Sequence, residues 1–585
     1  TRTGWPKLST PAQFGEIIPL YGDYADGFWD RKLTEMPGDY GKSYIFRPFR
    51  GSTVIATEQL PKHSGKDEES DLAYPYFTCE LGGGMMTSYH RRIKIDPMDV
   101  YSMALVRVGS GSNLPGYYMY HGGTNPEGEF TTLNERQTSN YTFHNDLPIK
   151  SYDFQAPLGE FGQVNLHYHL LRRLHLFLKD FGSELTSMNP TFPDDAPTNF
   201  KSDSTLRWCV RSNGRKGYVF VNNYHRLKTL TPKKRIQFNI DLQDGILKFP
   251  SSPITIPSNS SFFWPFNMSL NGLNLLYATA QPIAKLNRDN VLTVAFVACN
   301  GIPAEFAFDE DNLTVEYSTA KVHKKGKRIL FTNLKPTTEA VIRLRDKDNH
   351  KVRIVLLSEK NSLSFWKEKL AGEERFFLSS SELTCDGTSL QLDVKNKEKA
   401  SVLIYPALKS LRFGNLFLKG ISSNLFTRYE IKRPMQKTFK LVLQSVQEAG
   451  IAREVSLGKA KVAMQPEDSD FSRAAVWHIQ FPKNMNPDRD VYLSFSYVGD
   501  VARLYLDGKL LTDNFYNGNA FEIGLKRFAP DIYTKELILK ILPLRKDIPV
   551  YLPLSARPDF KGMQSVISIP KVNVYEKQLI VLRAE

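Results

Sequence analysis

The run YPYFTCELGGG, residues 74–84, points most directly to an architecture for the N-terminal third of the chain. It is a short apolar stretch that ends in a carboxylate, Glu80, and it is followed by three glycines. This pattern predicts a buried strand that presents Glu80 at its C-terminal end. The glycine run predicts room beside the backbone for a ligand. In βα barrels the C-terminal ends of the strands carry the chemistry, although a glutamate that only caps a loop would leave the same pattern.

The flanking sequence alternates strand-like and helix-like segments. An Asp-Pro pair predicts the start of a helix over residues 96–109, because Asp caps a helix and Pro fits its first turn. The run GYYMYHGGTN, residues 116–125, repeats the strand-and-glycine design. A second amphipathic helix is predicted over residues 165–181, with Gly182 at its end. This alternation predicts an α/β fold for residues 1–195.

Residues 196–585 have a different pattern. Short runs rich in Val, Ile, Phe and Tyr are separated by turn residues, and the clearest are 218–221, 291–297, 352–357, 491–497 and 537–542. They predict an all-β region of two or three antiparallel sandwich or jelly-roll domains. We place the domains at 196–285, 286–445 and 446–585.

Composition and charge exclude several classes of protein. Hydrophobic residues make up 41% and charged residues 24% of the 585 residues, which is typical of a folded globular chain. No apolar run approaches the roughly 18 residues of a membrane-spanning helix. The four cysteines lie far apart without a CxxC pair, which argues against a zinc ribbon and a disulfide framework.

The net charge of +14 does not by itself indicate a nucleic-acid partner. Residues 1–195 contain 18 basic and 24 acidic residues, so the positive excess lies in the remainder of the chain. Its densest run, residues 321–328, is predicted to be a solvated loop, with an anionic-surface contact as the alternative. We find no nucleic-acid-binding module that would use it.

Other residues near the motifs have simpler structural explanations. Tyr118 and Tyr120, taken alone, fit barrel lining or core better than ligand contact. Three glutamates follow the second motif and fit the rim of a cleft: Glu127, Glu129 and Glu135. A metal site is not predicted, because the His-x-His pair on the second helix does not share one helical face.

A family resemblance rests on two motifs. YYMYHGGTN (residues 117–125), followed by SYDFQAPL (residues 151–158), resembles the signature of family-35 glycoside hydrolases, the retaining β-galactosidases. LRWCVRS (residues 206–212) and GYVFVNN (residues 217–223) extend the likeness. They are similar to bacterial members associated with plant cell-wall galactosides. The resemblance is strong over about residues 1–290.

The resemblance implies roles for individual residues. Glu80 is the catalytic nucleophile at the end of barrel strand seven, and Tyr118 matches the strand-eight tyrosine that contacts galactose in the −1 site. Trp5, Trp29 and Tyr120 are further aromatic candidates for stacking on sugar faces. These implied roles make Glu80 the first residue to test.

Two positions depart from the family pattern. Gly82 stands where the family often has an aromatic residue. Phe154 replaces the second tyrosine of the common SYDYDAP turn, so a hydroxyl contact with substrate is lost there. Both differences are expected to reshape the galactose pocket and to leave the covalent step unchanged.

The resemblance also implies an architecture. Residues 1–195 correspond to strands five to eight, the C-terminal half of a (β/α)8 TIM barrel, followed by the β domains. The family's acid/base, a glutamate within an Asn-Glu pair on strand four, would lie upstream of Thr1. We therefore expect the acid/base to be absent from this chain and the chain alone to be inactive.

The function implied is retaining hydrolysis of terminal non-reducing β-galactosyl residues, with side chains of xyloglucan or galactan as preferred substrates. No metal or organic cofactor is expected, and neither is a nucleic-acid partner or a membrane span. Family membership implies secretion or a bacterial periplasmic location. The alternative is a non-catalytic carbohydrate-binding protein with a relic barrel, because residues 497–508 resemble strand pairs of galactose-binding-like jelly rolls.

Overall fold

The computed structural model describes residues 2–4, 17–48, 50, 75–129, 135–137, 144–197, 199–395, 399–432, 439–483 and 485–584. Strands make up most of its regular structure, and among the described residues only two α-helices exceed one turn: α1 (Pro97–Gly109) and α2 (Leu166–Leu185). The helices lie in the first third of the chain, and strands dominate the rest, as the sequence predicts.

Parallel strands build the N-terminal segment. Three strands pair in chain order, β1 (Arg2–Gly4), β2 (Ile17–Asp23) and β3 (Phe77–Leu81). Residues 114–117 continue this order beside β3 through two parallel bridges, Phe77 with Leu114 and Leu81 with Tyr117. Because the strands are parallel, their carboxyl ends meet at one edge, where β3 delivers Glu80.

Helix α1 begins as predicted. The Asp96 side chain accepts a hydrogen bond from Met98 N at 2.8 Å, and the Asp99 side chain accepts one from Asp96 N at 2.9 Å, so both members of a capping box are present. Helix α2 is longer than predicted. It continues through Gly182 to Leu185, since Leu185 is buried with the core and stabilises the extra turn.

The second motif contains less strand than expected. Residues 116–121 form isolated bridges and no continuous strand. The strands beyond them are two-residue elements, β4 (Gly123–Thr124) and β5 (Ser151–Tyr152), which pair antiparallel. They join the two turns of the family-like signature.

Fifteen strands follow: β6 (Asn189–Thr191), β7 (Arg207–Ser212), β8 (Gly217–Asn223), β9 (Lys233–Leu242), β10 (Gly245–Ile256), β11 (Ser260–Leu270), β12 (Leu273–Ala278), β13 (Ala280–Arg288), β14 (Val291–Ala298), β15 (Phe306–Asp309), β16 (Thr314–Ser318), β17 (Lys321–Lys325), β18 (Arg328–Thr332), β19 (Val341–Arg345) and β20 (Lys351–Leu357). One sheet has the order β17-β18-β15-β12-β11-β8-β7-β6, and another has the order β13-β14-β20-β19-β16. Strands β9 and β10 pair by themselves. The two larger sheets enclose the main hydrophobic core together with α1 and α2.

The basic run at 321–328 is a hairpin and not the predicted loop. Its first part is the exposed strand β17, which pairs with β18 at the edge of the eight-stranded sheet. Lysines on an edge strand oppose pairing with another chain, because their charges would have to be desolvated.

The next elements are a one-turn helix, α3 (Glu359–Ser362), and ten strands: β21 (Phe365–Leu370), β22 (Glu373–Ser379), β23 (Glu382–Cys385), β24 (Ser389–Lys395), β25 (Lys399–Tyr405), β26 (Leu411–Phe413), β27 (Leu416–Phe417), β28 (Ile421–Ser422), β29 (Thr427–Lys432) and β30 (Val442–Gln447). The last are β31 (Ala475–Gln480), β32 (Asp490–Val498), β33 (Val501–Leu506), β34 (Lys509–Phe515), β35 (Phe521–Gly524), α4 (Asp531–Thr534), β36 (Leu537–Ile541), β37 (Leu544–Arg545), β38 (Ser565–Val566) and β39 (Ser568–Ala584).

Sheets in this region include strands from both sides of the predicted domain boundaries. Strand β39 pairs with β24 and β26 and also with β32. The hairpin β13–β14 spans the boundary predicted at 285. The domain boundaries remain predictions, and the sheets show that neighbouring segments share structure.

The last β segment is anchored to the N-terminal segment by a buried carboxylate. Asp513, on β34, accepts hydrogen bonds from the backbone N–H groups of Ile149 (2.6 Å), Lys150 (2.8 Å) and Ser151 (3.1 Å). Asp500 forms a buried ion pair with Arg92. These contacts fix the turn that contains β5 against a strand more than 350 residues away in sequence.

Candidate active site

The carboxyl end of β3 places Glu80 beside the ends of its neighbours. Leu81 N donates to Gly116 O at 3.0 Å, and Tyr118 N donates to Leu81 O at 3.0 Å. On the other side, Gly22 of β2 is in register with Glu80. The Glu80 side chain is half-buried at this edge.

Tyr24 is the direct partner of Glu80. Its hydroxyl donates a hydrogen bond to Glu80 Oε2 at 2.8 Å. Burial, together with the Glu80 charge, raises the pKa of Tyr24 well above its usual range. The phenol therefore stays protonated and can hold the carboxylate in one orientation. Sequence reasoning missed Tyr24, because its position just after β2 carries no motif of its own.

Two further phenols lie in this site. Tyr118 and Tyr152 share a hydrogen bond at 2.8 Å between their hydroxyl oxygens. Burial raises the pKa of Tyr152, with a further contribution from the Tyr118 hydrogen bond, and the Glu80 charge acts in the same direction. Three phenols and one carboxylate thus offer donors and acceptors to a ligand with several hydroxyl groups.

Phe154 is a buried packing neighbour of the tyrosine pair. The residue is buried and has a left-handed backbone, with φ of 60°. Its ring packs edge-on against Tyr118 at 5.5 Å and beside Tyr152 at 5.6 Å. The phenylalanine therefore positions the two tyrosines, which the sequence prediction of a lost sugar contact did not anticipate.

The other predicted aromatic contacts are arranged differently. Tyr120 packs with Tyr117, Tyr168 and His175, on the side that faces α2, and not with the Glu80 group. Trp29 packs edge-on against Tyr24 at 5.1 Å. Trp5 lies outside the described residues.

The glycine run serves the packing of the protein backbone, and this corrects the expectation of space for a ligand. A Cβ added at Gly83 would lie 2.3 Å from Met119 O, and one at Gly84 would lie 2.2 Å from Phe154 O. At Gly82 it would lie 3.0 Å from Cδ1 of Tyr24. The small residue at 82 thus leaves room for the Tyr24 ring, where the family often has an aromatic residue.

The three predicted rim glutamates differ in exposure and in their partners. Glu127 and Glu129 are exposed, and Glu127 pairs with Lys150. Glu135 is half-buried and accepts a hydrogen bond from Asn145 Nδ2 at 2.9 Å. Burial raises the pKa of Glu135, and its charge reaches Tyr152, as that of Glu80 does.

Histidines and cysteines do not form a metal centre at this site. His167 Nε2 lies 3.0 Å from the carbonyl oxygen of Gln155, whereas His169 pairs with Glu382. All four cysteines are free, as predicted. Within the described ranges, the one group of three clustered side chains that could bind a metal is Asp346, Asp348 and His350, at the β19–β20 turn.

A comparison with protein families supplies the assignment. Residues 44–178 match the model of Glycosyl hydrolases family 35. This segment belongs to glycosyl hydrolase family 35. The family-35 segment contains Glu80, both signature turns and the tyrosine pair Tyr118–Tyr152, so the glycoside hydrolase resemblance is confirmed there.

Solved structures add little to the family-35 assignment. A rhamnosidase from Novosphingobium sp. PP1Y is 10% identical over 38% of this chain and 27% of that chain, with a TM-score of 0.14. A GH31 alpha-xylosidase from Xanthomonas citri is 10% identical over 68% of this chain and 38% of that chain, with a TM-score of 0.10. The chain thus spans well under half the length of either structure. No helix among the described residues is long and apolar enough to cross a membrane.

Proposed function

We propose that the chain is part of a retaining β-galactosidase whose nucleophile is Glu80. The observation that carries the proposal is the position of Glu80 within the family-35 segment. It lies at the carboxyl end of a parallel strand, with Tyr24 donating a hydrogen bond to its Oε2. That hydrogen bond leaves Oε1 as the oxygen that can attack.

The proposed reaction has two steps. In the first, Glu80 Oε1 attacks the anomeric carbon of galactose, the bond to the aglycon oxygen breaks, and that oxygen takes a proton from a general acid. In the second, water attacks the anomeric carbon, gives its proton to the same group as base, and releases Glu80 with galactose of retained configuration. Tyr24 keeps the carboxylate oriented through both steps.

Tyr118 and Tyr152 are proposed to bind the galactosyl unit. Their paired hydroxyls lie on the same edge as Glu80 and can exchange their mutual hydrogen bond for bonds to sugar hydroxyl groups. Phe154 holds both rings, so the pair is preorganised. Tyr120 and the exposed glutamates are not part of the proposed site.

Two glutamates compete for the role of acid/base group. The resemblance assigns this role to a glutamate on barrel strand four, with the parallel strands here as strands five to eight. Glu135 is the competing residue, because it is half-buried and its raised pKa would suit a proton donor. The preferred substrates remain β-galactosyl side chains of xyloglucan or galactan, outside the cell or in the periplasm.

Covalent labelling tests the proposal. A 2-deoxy-2-fluoro-β-galactosyl donor with a dinitrophenyl leaving group needs little acid assistance, so it reports on the nucleophile alone. We expect one galactosyl adduct per chain, mapped to Glu80 by peptide mass spectrometry and absent in Glu80→Gln. Glu129→Gln, an exposed carboxylate, is the matched control and should label normally. An adduct on another carboxylate would overturn the assignment. Retention on polysaccharide without any adduct would favour the carbohydrate-binding alternative.

A further inference from the structure

A cavity lies behind the β5 turn. It has a volume of about 440 Å³, and its walls come from the start of α1, from residues 151–167 and from residues 514–522 of the last β segment. Along the turn, Ser151, Asp153 and Gln155 line this cavity, whereas Tyr152 and Phe154 pack with Tyr118. The backbone of the turn thus separates the cavity from the Glu80 site.

The lining favours a neutral ligand over a charged one. It contains no lysine or arginine to balance an anion. It does contain the carboxyl groups of Asp153, Glu160 and Glu522, but among the described residues these do not converge into a metal-ligand group. Burial raises the pKa of Glu160 to about 8, so this carboxyl is largely neutral near pH 7.

His167 is a buried, neutral ring in the wall of the cavity. The ring is only 5% exposed, and its pKa is lowered by burial to about 4, so it is neutral. Nε2 lies 3.0 Å from the carbonyl oxygen of Gln155, which can only accept, so the proton sits on Nε2. Nδ1 is then unprotonated and has no hydrogen-bond partner, but the atom is itself buried, so the ring contributes wall to the cavity and not an exposed acceptor.

Donors are present on the same wall. Asn165 occupies the N-cap of α2 but makes no side-chain capping bond, because its Nδ2 donates to Ala156 O at 2.7 Å. The first N–H groups of α2, next to the cavity, are therefore not capped by Asn165.

Three side-chain amides also line the cavity, and each already bonds within the protein. Gln163 uses both its oxygen and its nitrogen, Asn514 Oδ1 accepts from the Tyr497 hydroxyl, and Asn519 Nδ2 donates to Gln155 Oε1. Asn514 Nδ2 and Asn519 Oδ1 are the amide atoms left for a ligand.

Apolar surface completes the cavity. Pro97, Leu166 and Phe521 form part of its wall, and they can cover the C–H face of a ring. A ligand that is neutral, rich in hydroxyl groups and partly apolar is a saccharide. We propose that this cavity is a non-catalytic binding site for one or two neutral saccharide units. Its volume falls within the roughly 300–1,000 Å³ of small-molecule sites.

The test uses two variants that fill the cavity from opposite walls. Ala520 is exposed and Leu166 is 50% exposed, so Ala520→Trp and Leu166→Trp can place bulk at the cavity without disturbing the core. Ala520→Ser and Leu166→Met are the matched controls. Binding of galactose, glucose, xylose and lactose is measured on the whole chain by calorimetry and ligand-observed NMR. The same binding measurements are made on Glu80→Gln, so that an effect on the proposed catalytic site can be separated from binding in this cavity.

We expect at least one of these sugars to bind with a Kd of about 0.1–5 mM in wild type and Glu80→Gln. Each Trp variant should weaken binding tenfold or more, and the Ser and Met variants should stay within about twofold. Hydrogen exchange on wild type with sugar should show protection in residues 151–167 and 514–522. The proposal is overturned if no sugar binds, if binding survives both Trp variants, if protection lies elsewhere, or if galactonate or Ca²⁺ binds more tightly than the neutral sugars.

Discussion

The hydroxyl of Tyr24 lies 2.8 Å from Oε2 of Glu80, although 56 residues separate them in sequence. The two residues meet because β2 and β3 are parallel neighbours whose carboxyl ends share one edge. Buried beside a carboxylate, the phenol keeps its proton and acts as a fixed donor. This single bond connects the fold to the chemistry proposed for Glu80.

Tyr24→Phe should slow the labelling of Glu80 by the activated fluoro-galactosyl donor about 10- to 100-fold. A hydrogen bond to a charged group is worth about 1.5–3 kcal/mol, and without it the carboxylate loses its fixed orientation. The measurement is the rate of adduct formation by intact-mass spectrometry. Tyr224→Phe is the control, because it removes another buried tyrosine–carboxylate bond, to Asp99 at 2.6 Å, outside the site. Equal slowing in both variants would mean that Tyr24 acts only through stability.

The chain assayed alone should not turn over lactose or xyloglucan oligosaccharides. General-acid assistance is worth about 10²–10⁴-fold, and the resemblance assigns that acid to barrel strand four, which is not among the parallel strands that carry Glu80. Dinitrophenolate can leave without being protonated, so a dinitrophenyl galactoside should still form the galactosyl-Glu80 ester. Azide needs no base to attack this ester, and it should accelerate release of dinitrophenolate at least about tenfold. Lactose hydrolysis that is lost in Glu135→Gln would instead assign the acid role to Glu135.

Local signals predicted the elements that depend on local chemistry. The Asp96 cap and Pro97 set the start of α1, because the Asp96 carboxylate accepts from Met98 N and Pro97 has no N–H group that needs a partner. Strand β3 and the later strands β8, β14, β20, β32 and β36 match the predicted runs, since apolar β-branched and aromatic residues pack on a sheet. Gly182 was a wrong helix end, because burial of Leu185 outweighs the cost of one glycine in α2.

Distant contacts could not be read from the sequence. Tyr24 becomes a partner of Glu80 only through strand order, and Asp513 reaches Ile149 only through docking of the last β segment. The run of glycines after Glu80 is visible in the sequence, but it was interpreted as space for a ligand, whereas it allows close packing of the backbone. Their close neighbours are the carbonyl oxygens of Met119 and Phe154, which lie on turns far along the chain.

Asp513→Asn should destabilise the chain by about 2–4 kcal/mol. The carboxylate satisfies three backbone N–H groups, and an amide offers one acceptor oxygen and turns an N–H group toward them. The measurement is urea unfolding, with limited proteolysis to show whether the turn at 149–151 is released first. Asp531→Asn removes an exposed pair with Lys535 and should change stability by less than about 0.5 kcal/mol. Similar losses in both variants would contradict a special role for Asp513.

Wild type should lose stability as pH rises and Glu160 ionises, and Glu160→Gln should remove that part of the loss. Burial raises the pKa of Glu160 to about 8, above its unfolded value of about 4.3. The stability from this group is therefore full below about pH 4.3 and is lost as pH rises through 8. The glutamine side chain stays neutral at every pH. The unfolding free energy of Glu160→Gln minus that of wild type should therefore increase by about 1–3 kcal/mol between pH 5 and pH 8.5. Glu129→Gln, an exposed control, should show no such trend, and a flat difference for Glu160→Gln would contradict the burial argument.

Gly82→Ala should weaken Glu80 reactivity by moving Tyr24. The added methyl would lie 3.0 Å from Cδ1 of Tyr24 and 3.4 Å from Cε of Met103, so the ring must shift by a few tenths of an ångström. A shift of that size lengthens the 2.8 Å bond to Glu80 and should slow labelling about 3- to 10-fold. Gly123→Ala is the control, because nothing lies within 4 Å of its added Cβ.

A double-mutant cycle decides whether Gly82 acts through Tyr24. If it does, Gly82→Ala should add little to Tyr24→Phe, since the bond that the methyl perturbs is already gone. The double variant should then label at the rate of Tyr24→Phe, within about twofold. Multiplicative losses would show that the two residues act independently, and that the small residue at 82 serves the site in another way than by admitting the Tyr24 ring.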